Sequence, residues 1–184
     1  MMRAPESFIV SPLEGRYKRG IEIDGMVFGT VTSIEDAKDV SKKAVVVSVP
    51  LNYKGDIAEG DEVIVHHNIF RSYYNQHGKL TNSRAYLHEN LYQVIPEELF
   101  LYKKDGRWVP NLDFCFVRPI EEDTISKLSG LKLPHTGVVV YSNLHKTEDP
   151  IGFTPESEYQ VTVDDEILYR MRDCDISIYD RFTV

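Results

Sequence analysis

The chain has 184 residues, of which 42% are hydrophobic, and a formal net charge of −8. This hydrophobic fraction suffices for a folded core and excludes a wholly disordered chain. Proteins that bind nucleic-acid backbones are normally basic, so the acidic balance argues against a nucleic-acid partner. No hydrophobic run reaches the ~18 residues of a membrane helix, and the first residues lack the apolar core of a signal peptide. The composition predicts an acidic cytoplasmic protein of one large or two small domains.

Short segments of β-branched and aromatic residues recur along the chain, bounded by Gly, Pro, Asn or Asp, and they predict a mainly β protein. Strands are predicted at Phe8–Val10, Ala44–Val47, Glu62–Val65, Leu99–Tyr102, Phe114–Val117, Val138–Tyr141, Tyr159–Val163, Ile167–Tyr169 and Ile176–Tyr179. No long stripe has the helical period of 3.6 residues, and one helical turn is predicted at Pro96–Leu99. Two cysteines do not make a disulfide framework, and Cys115 and Cys174 are expected to be buried thiols.

The segment from Leu13 to Lys43 is a long polar stretch that contains an apolar island, Ile21–Gly29. Long segments without regular structure are usually functional or disordered when they occur inside a compact domain. We expect the three residues Met26–Phe28 to form an exposed loop tip. The alternative, a strand of the hydrophobic core, stays open at this point.

Four segments of the first half recur in the second half in the same order. The pairs are Ile9–Glu14 with Phe116–Glu121, Ala44–Val47 with Gly137–Val140, Ile57–Val63 with Phe153–Tyr159, and Glu98–Tyr102 with Asp175–Tyr179. One such pair of short β segments can match by chance, but four in order predict a duplication. We place the first domain at 1–104, a linker at 105–112, where charge, Gly and Pro are typical of a surface connection, and the second domain at 113–184.

The repeated unit resembles the GroES-type co-chaperonin (chaperonin 10) family. Glu59–Val65 is similar to the family's V-G-D-x-V-x-F segment, Arg172–Ile178 to its closing E-S-D-I-L-A-I strand, and Ser129–Leu133 to the tip of its mobile loop. The tandem arrangement resembles the double-domain co-chaperonins of chloroplasts, and the divergence fits a bacteriophage-encoded version. The family's roof hairpin has little room here, and an insertion at 66–84, rich in Tyr and His, has no counterpart in the family.

The resemblance implies two tandem GroES-like β-barrels that assemble into a homo-oligomeric ring. This ring would cap a GroEL-type, ATP-dependent chaperonin and close its protein-folding chamber, in the host cytoplasm if the protein is phage-encoded. No cofactor, nucleic acid or membrane is implied. The implied chaperonin contacts are Ile21, Ile23, Gly25, Met26, Val27 and Phe28 in the first copy and Gly130, Leu131 and Leu133 in the second.

A different class of function stays open beside the co-chaperonin: a non-enzymatic, oligomeric β structural protein, such as a phage particle component, that assembles through sheet edges. An enzyme is not predicted, because no dinucleotide-binding, phosphate-loop, zinc-protease or serine-hydrolase signature occurs in the sequence.

Two groups of side chains in and near the insertion invite other interpretations. Neighbouring histidines on a strand point to opposite faces, so a surface or interface role is favoured over a metal site for His66, His67, His77 and His88. An aromatic patch for subunit packing is predicted at Tyr73, Tyr74, Tyr86 and Tyr92.

Overall fold

The computed structural model describes residues 4–13, 15–16, 21–23, 26–28, 40–120 and 135–179. These residues form antiparallel strands and three short 3₁₀ turns, so the protein is mainly β, as predicted. The chain divides into two compact units, Met1–Gly106 (unit 1) and Arg107–Val184 (unit 2). The domain limits suggested by the sequence stay a prediction.

Unit 1 contains one main sheet and two separate hairpins. Its strands are β1 (Phe8–Pro12), β2 (Ile21–Ile23), β3 (Met26–Phe28), β4 (Lys43–Ser48), β5 (Glu62–Val65), β6 (Ser72–Tyr74), β7 (Leu80–Asn82), β8 (Tyr86–His88), β9 (Leu91–Val94) and β10 (Leu99–Lys104), with 3₁₀ turns at His67–Ile69 and Pro96–Glu98. The main sheet has the strand order β10-β5-β4-β1-β9-β8, and the hairpins are β2–β3 and β6–β7. All these pairings are antiparallel.

The described residues of unit 2 contain seven strands, and six of them form its main sheet. The strands are β11 (Arg107–Pro110), β12 (Phe114–Pro119), β13 (Thr136–Tyr141), β14 (Pro150–Phe153), β15 (Tyr159–Val163), β16 (Glu166–Arg172) and β17 (Ile176–Tyr179), with a 3₁₀ turn at Asp173–Asp175. The sheet order is β15-β16-β12-β13-β14-β17, again antiparallel throughout. The nine predicted strands and the predicted helical turn are all confirmed.

The two main sheets have the same strand order. Written from the strand that comes last in the sequence, the order is β10-β5-β4-β1-β9-β8 in unit 1 and β17-β14-β13-β12-β16-β15 in unit 2. Their registers also correspond. Equivalent opposed pairs are Val10–Val46 and Val117–Val139, Gln93–Ile9 and Arg170–Phe116, Val63–Ala44 and Ile151–Gly137, and Leu99–Val65 and Ile176–Phe153. The irregularity in the first strand pair falls at the same step in both units, before Val10 and before Val117.

One of the four repeated segments was matched wrongly in the sequence. The counterpart of β5 is β14, not Phe153–Tyr159, because both strands pair with the second strand of their sheet in the same register. Gly60 N–H donates to the Val46 carbonyl, and Glu148 N–H donates to the Val139 carbonyl, both at 2.8 Å. These two residues have φ of +93° and +71°. A left-handed backbone favours glycine, so the glutamate in unit 2 concealed the match.

Equivalent positions also form the core of the two units. In unit 2 the buried cluster comprises Cys115, Val117, Val139, Ile151, Phe153 and Met171, with Tyr169 and Ile176 packed against it. In unit 1 the equivalent residues are Phe8, Val10, Val46, Val63, Val65, Val94, Tyr92 and Leu99, and each is at most 2% exposed. Each of these large side chains contributes roughly 1.5–3 kcal/mol by leaving water.

Two burial predictions made from the sequence are wrong in part. Cys115 is fully buried on β12, and burial raises its pKa to about 12, but Cys174 is exposed in the 3₁₀ turn that precedes β17. Tyr92 belongs to the core rather than to a surface patch, since it points inward from β9 and its ring lies 4.8 Å from that of Phe70. Tyr73 and Tyr74 are exposed, as predicted.

Strands β12 and β13 approach each other closely at Gly137, and a substitution there tests this contact. A Cβ atom at this position would overlap the Val117 side chain and lie 2.7 Å from the Arg118 carbonyl oxygen. We expect Gly137→Ala to lower the stability of unit 2 by about 1–3 kcal/mol. Thermal denaturation followed by circular dichroism measures this. The exposed Thr147→Ala is the control, and equal melting temperatures for both variants would contradict the packing described.

Candidate functional site: the excursions between the first two strands of each sheet

In both units the chain leaves the main sheet at an equivalent point, after β1 and before β4 in unit 1, and after β12 and before β13 in unit 2. In unit 1 the Leu13 N–H donates to the Lys43 carbonyl at 3.1 Å, and in unit 2 the Ile120 N–H donates to the Thr136 carbonyl at 3.1 Å. These bonds are equivalent in register. Beyond them lie residues 14–42 and 121–135, which we call the first and second excursions. They contain every residue predicted to contact a chaperonin.

The first excursion carries the hairpin β2–β3, in which Ile21 opposes Phe28, Glu22 opposes Val27 and Ile23 opposes Met26. This hairpin is not a strand pair of the main sheet. Gly25 lies outside the described residues. The sequence Asp24-Gly25 between the strands is a typical hairpin signal that the sequence analysis overlooked. The contact role of Ile21, Ile23 and Met26–Phe28 stays a prediction.

The predicted tip of the second excursion, Gly130, Leu131 and Leu133, lies outside the described residues. The C-terminal base of this excursion is fixed on the sheet. The Phe153 N–H donates to the His135 carbonyl at 3.0 Å, and the His135 ring lies 5.8 Å from that of Phe153. His135 Nδ1 also lies 3.7 Å from Glu158 Oε1. The excursion therefore rejoins the sheet at a well-packed point.

Arg16 ties the base of the first excursion to the insertion at 66–84. Its backbone carbonyl accepts from the Ser41 N–H at 2.9 Å, which joins the two ends of the excursion. Its guanidinium donates to the Phe70 carbonyl at 3.1 Å and to Ser72 Oγ at 2.5 Å. This role cannot be recognised in the sequence, because the partners of Arg16 are distant in the chain and no local pattern marks them.

The adjacent histidines His66 and His67 leave the sheet rather than continue it. Strand β5 ends at Val65, His66 Nδ1 accepts from the Asn68 N–H at 3.1 Å, and a 3₁₀ turn begins at His67. The centres of their rings lie 4.3 Å apart, so the expected opposite orientation on a strand is wrong. Burial lowers the pKa of His67 to about 4, with further lowering by the nearby charges of His66, Lys42 and Arg71. His67 is therefore neutral at physiological pH.

Removal of the Arg16 side chain should loosen the base of the first excursion. We expect Arg16→Ala to raise the rate of chymotrypsin cleavage within 14–42 several-fold, because two hydrogen bonds worth about 1 kcal/mol each are lost. The cleavage sites are mapped by mass spectrometry. The exposed Arg107→Ala is the control for charge, and equal cleavage rates for both variants would show that Arg16 does not anchor the segment.

His67 should make the stability of unit 1 depend on pH. Because the folded-state pKa, about 4, lies below the ordinary 6.5, the unfolded chain binds more protons between these values. The stabilising contribution is complete above pH 6.5 and is lost as the pH falls toward 4. We expect the melting temperature of His67→Gln to depend less on pH between 4 and 6.5 than that of the wild type. The exposed His77→Gln should leave the slope unchanged, and a similar effect of both variants would contradict the assignment.

Neither known protein families nor curated proteins match the chain in a sequence comparison. Within the described ranges, no group of three or more His, Cys, Asp or Glu side chains is placed to hold a metal ion. The described part of the chain also has no helix with the length and hydrophobicity that crossing a membrane requires.

Proposed function

We propose that the protein is a co-chaperonin of the GroES type, built from two tandem, duplicated GroES-like barrels. Its chains would form a homo-oligomeric ring that caps an ATP-dependent, GroEL-type chaperonin and closes the folding chamber. The chaperonin would hydrolyse ATP, and this protein would supply the lid.

The observation that carries the proposal is the position of the two excursions. Two sheets with the same strand order each release a segment at an equivalent hydrogen bond, Leu13 to Lys43 and Ile120 to Thr136. In the family that the sequence resembles, the mobile loop that contacts the chaperonin lies between the corresponding strands. The apolar residues of both excursions, such as Val27 and Leu131, occur where contact residues are needed.

Weak contacts that act together suit such a lid. An apolar segment can bind a groove of a partner as an added strand. Each large side chain buried contributes roughly 1.5–3 kcal/mol, whereas ordering costs about 1–2 kcal/mol for every residue fixed. One excursion alone should therefore bind weakly. A ring binds tightly because every contact after the first is intramolecular.

Sheet edges offer a means of building the ring. Among the described residues of unit 2, β15 and β17 each pair on one side only within their sheet. An edge strand presents unpaired N–H and C=O groups that another chain can pair with. Ile178 on β17 is 57% exposed, which adds an apolar contact at this edge. We propose that neighbouring subunits pair through these edges.

The contact residues can be tested by placing a charge on each excursion. We expect Val27→Asp and Leu131→Asp each to weaken capping at least tenfold, because a carboxylate cannot be buried cheaply in an apolar groove. Capping is measured as the change in chaperonin ATPase rate, with circular dichroism as the folding control. Leu144→Asp is the matched variant, because Leu144 is 72% exposed and belongs to neither excursion. If both excursion variants cap like the wild type, the contact assignment is wrong.

The exposed edges would equally serve an oligomeric structural protein, such as a phage particle component. Protease protection separates the two functions. A lid should lose cleavage sites in 14–42 when chaperonin and nucleotide are added. A structural protein should assemble without chaperonin, and its cleavage pattern should not change.

A further inference from the structure

A cleft of about 510 Å³ opens in unit 1 between the insertion and the main sheet. The insertion contributes Ile69, Arg71, Tyr73 and Arg84, and the sheet and its connections contribute Gln93 and Glu98. We call this space the insertion cleft. Its volume falls in the range of about 300–1,000 Å³ that small-molecule sites occupy. None of the residues that line the cleft belongs to the excursions that carry the proposed capping function.

The insertion cleft offers cationic groups that match an oxyanion. Two guanidinium groups, those of Arg71 and Arg84, line it, against one carboxyl group, that of Glu98. In a chain with a net charge of −8, this is a local reversal of sign. A guanidinium presents its N–H groups in a planar fork that fits a carboxylate or a phosphate.

Arg71 has an unused donor at this place. Its Nε atom is buried and has no hydrogen-bond partner among the described residues. A buried donor without a partner is unfavourable, and native structures rarely keep one unless a ligand or water supplies the acceptor. Because Nε has no surface open to the cleft, an oxyanion would pair with it only after the Arg71 side chain shifts.

The same cleft has an apolar side. Ile69 is buried at its base, and Tyr73 and Ile95 line it while remaining 44% and 45% exposed. Burial raises the pKa of Glu98, the one carboxyl group in the lining. The lining therefore combines a binding place for a charged group with a surface for an apolar group.

Unit 2 has strands equivalent to those that line this cleft, but it has no insertion. Strand β14 ends at Phe153 and β15 begins at Tyr159, so no segment corresponds to the insertion. The positions equivalent to Gln93 and Glu98 hold Arg170 and Asp175. Arg71 and Arg84 therefore belong to the insertion and not to the sheet. This is expected if they form a binding site, because the sheet of unit 2 folds without them.

We propose that the insertion cleft binds a small ligand in which a carboxylate or phosphate group is attached to an apolar ring or chain. Arg71 and Arg84 bind the oxyanion, and Tyr73, Ile69 and Ile95 contact the apolar part. Gln93 is held by a hydrogen bond from its Nε2 to Ser7 Oγ at 2.9 Å and leaves its carbonyl oxygen for a ligand donor.

Phenyl phosphate and phenylacetate are the probes, with benzyl alcohol as the neutral analogue, and binding to the full chain is measured by calorimetry and by NMR shifts of unit 1. We expect Arg71→Gln to weaken binding of the preferred anion about tenfold and Arg84→Gln several-fold, since each removes a charge-assisted hydrogen bond. Glu98→Gln should tighten binding several-fold. Binding of one anion and not the other identifies the oxyanion.

Lys79→Gln is the matched control, because it removes one positive charge from the same insertion but does not line the cleft. It should change the affinity less than twofold. Circular dichroism shows whether Arg71→Gln folds, and the exposed Arg84→Gln provides the test if it does not. The proposal is overturned if neither anion binds saturably at millimolar concentration, if benzyl alcohol binds as well, or if Lys79→Gln weakens binding as much as Arg84→Gln. Capping assays do not enter this test, so the two proposals fail separately.

Discussion

The shortness of one connection determines the shape of each unit's sheet. In unit 1, β9 pairs with β1 and β10 pairs with β5, so in a flat sheet four strand spacings, or roughly 19 Å, would separate β9 from β10. The chain joins them through residues 95–98, which include a 3₁₀ turn that rises only about 2 Å per residue. A flat sheet cannot satisfy this connection, so the sheet must curl until β9 and β10 approach each other. In unit 2 the turn at Asp173–Asp175 imposes the same curl between β16 and β17.

The curl explains how the core of each unit forms. Alternate residues of the first strand, such as Cys115 and Val117, face one side of the sheet and meet residues of the other strands there. The closing turn is stabilised by the same kinds of bond in both units. The residue after the turn donates back to the first carbonyl of the turn, Leu99 to Pro96 in unit 1 and Ile176 to Asp173 in unit 2. An acidic side chain of the turn also bonds to the backbone just before it, Glu98 to Ile95 and Asp175 Oδ2 to the Arg172 N–H. The two turns therefore share their geometry, although proline begins only the turn of unit 1.

The sequence predicted those strands whose own residues favour β structure, and it failed where distant partners decide. Strand β14 contains a proline and a glycine and is formed because β13 and β17 pair with it on both sides. The left-handed Glu148 concealed one of the matched segments, since only the backbone conformation and hydrogen bond show that its position is equivalent to that of Gly60. Of the candidate sites, the excursions were recognisable as long polar segments, whereas the insertion cleft depends on Arg71 and Glu98 meeting from separate elements. No spacing within one segment encodes that meeting.

The two units agree in their sheets and differ in the connections between strands. A curled sheet tolerates change in its connections. Lengthening a surface connection costs little additional loop-closure entropy, about 0.6 kcal/mol for each doubling, whereas altering a strand disturbs its partners on both sides. Two connections are longer in unit 1 than in unit 2, the first excursion and the insertion, and Arg16 joins them by its bonds to Phe70 and Ser72. These two residues flank Arg71 of the insertion cleft. The base of the excursion and the wall of the cleft therefore belong to one hydrogen-bonded framework that unit 2, without an insertion, has no residues to build.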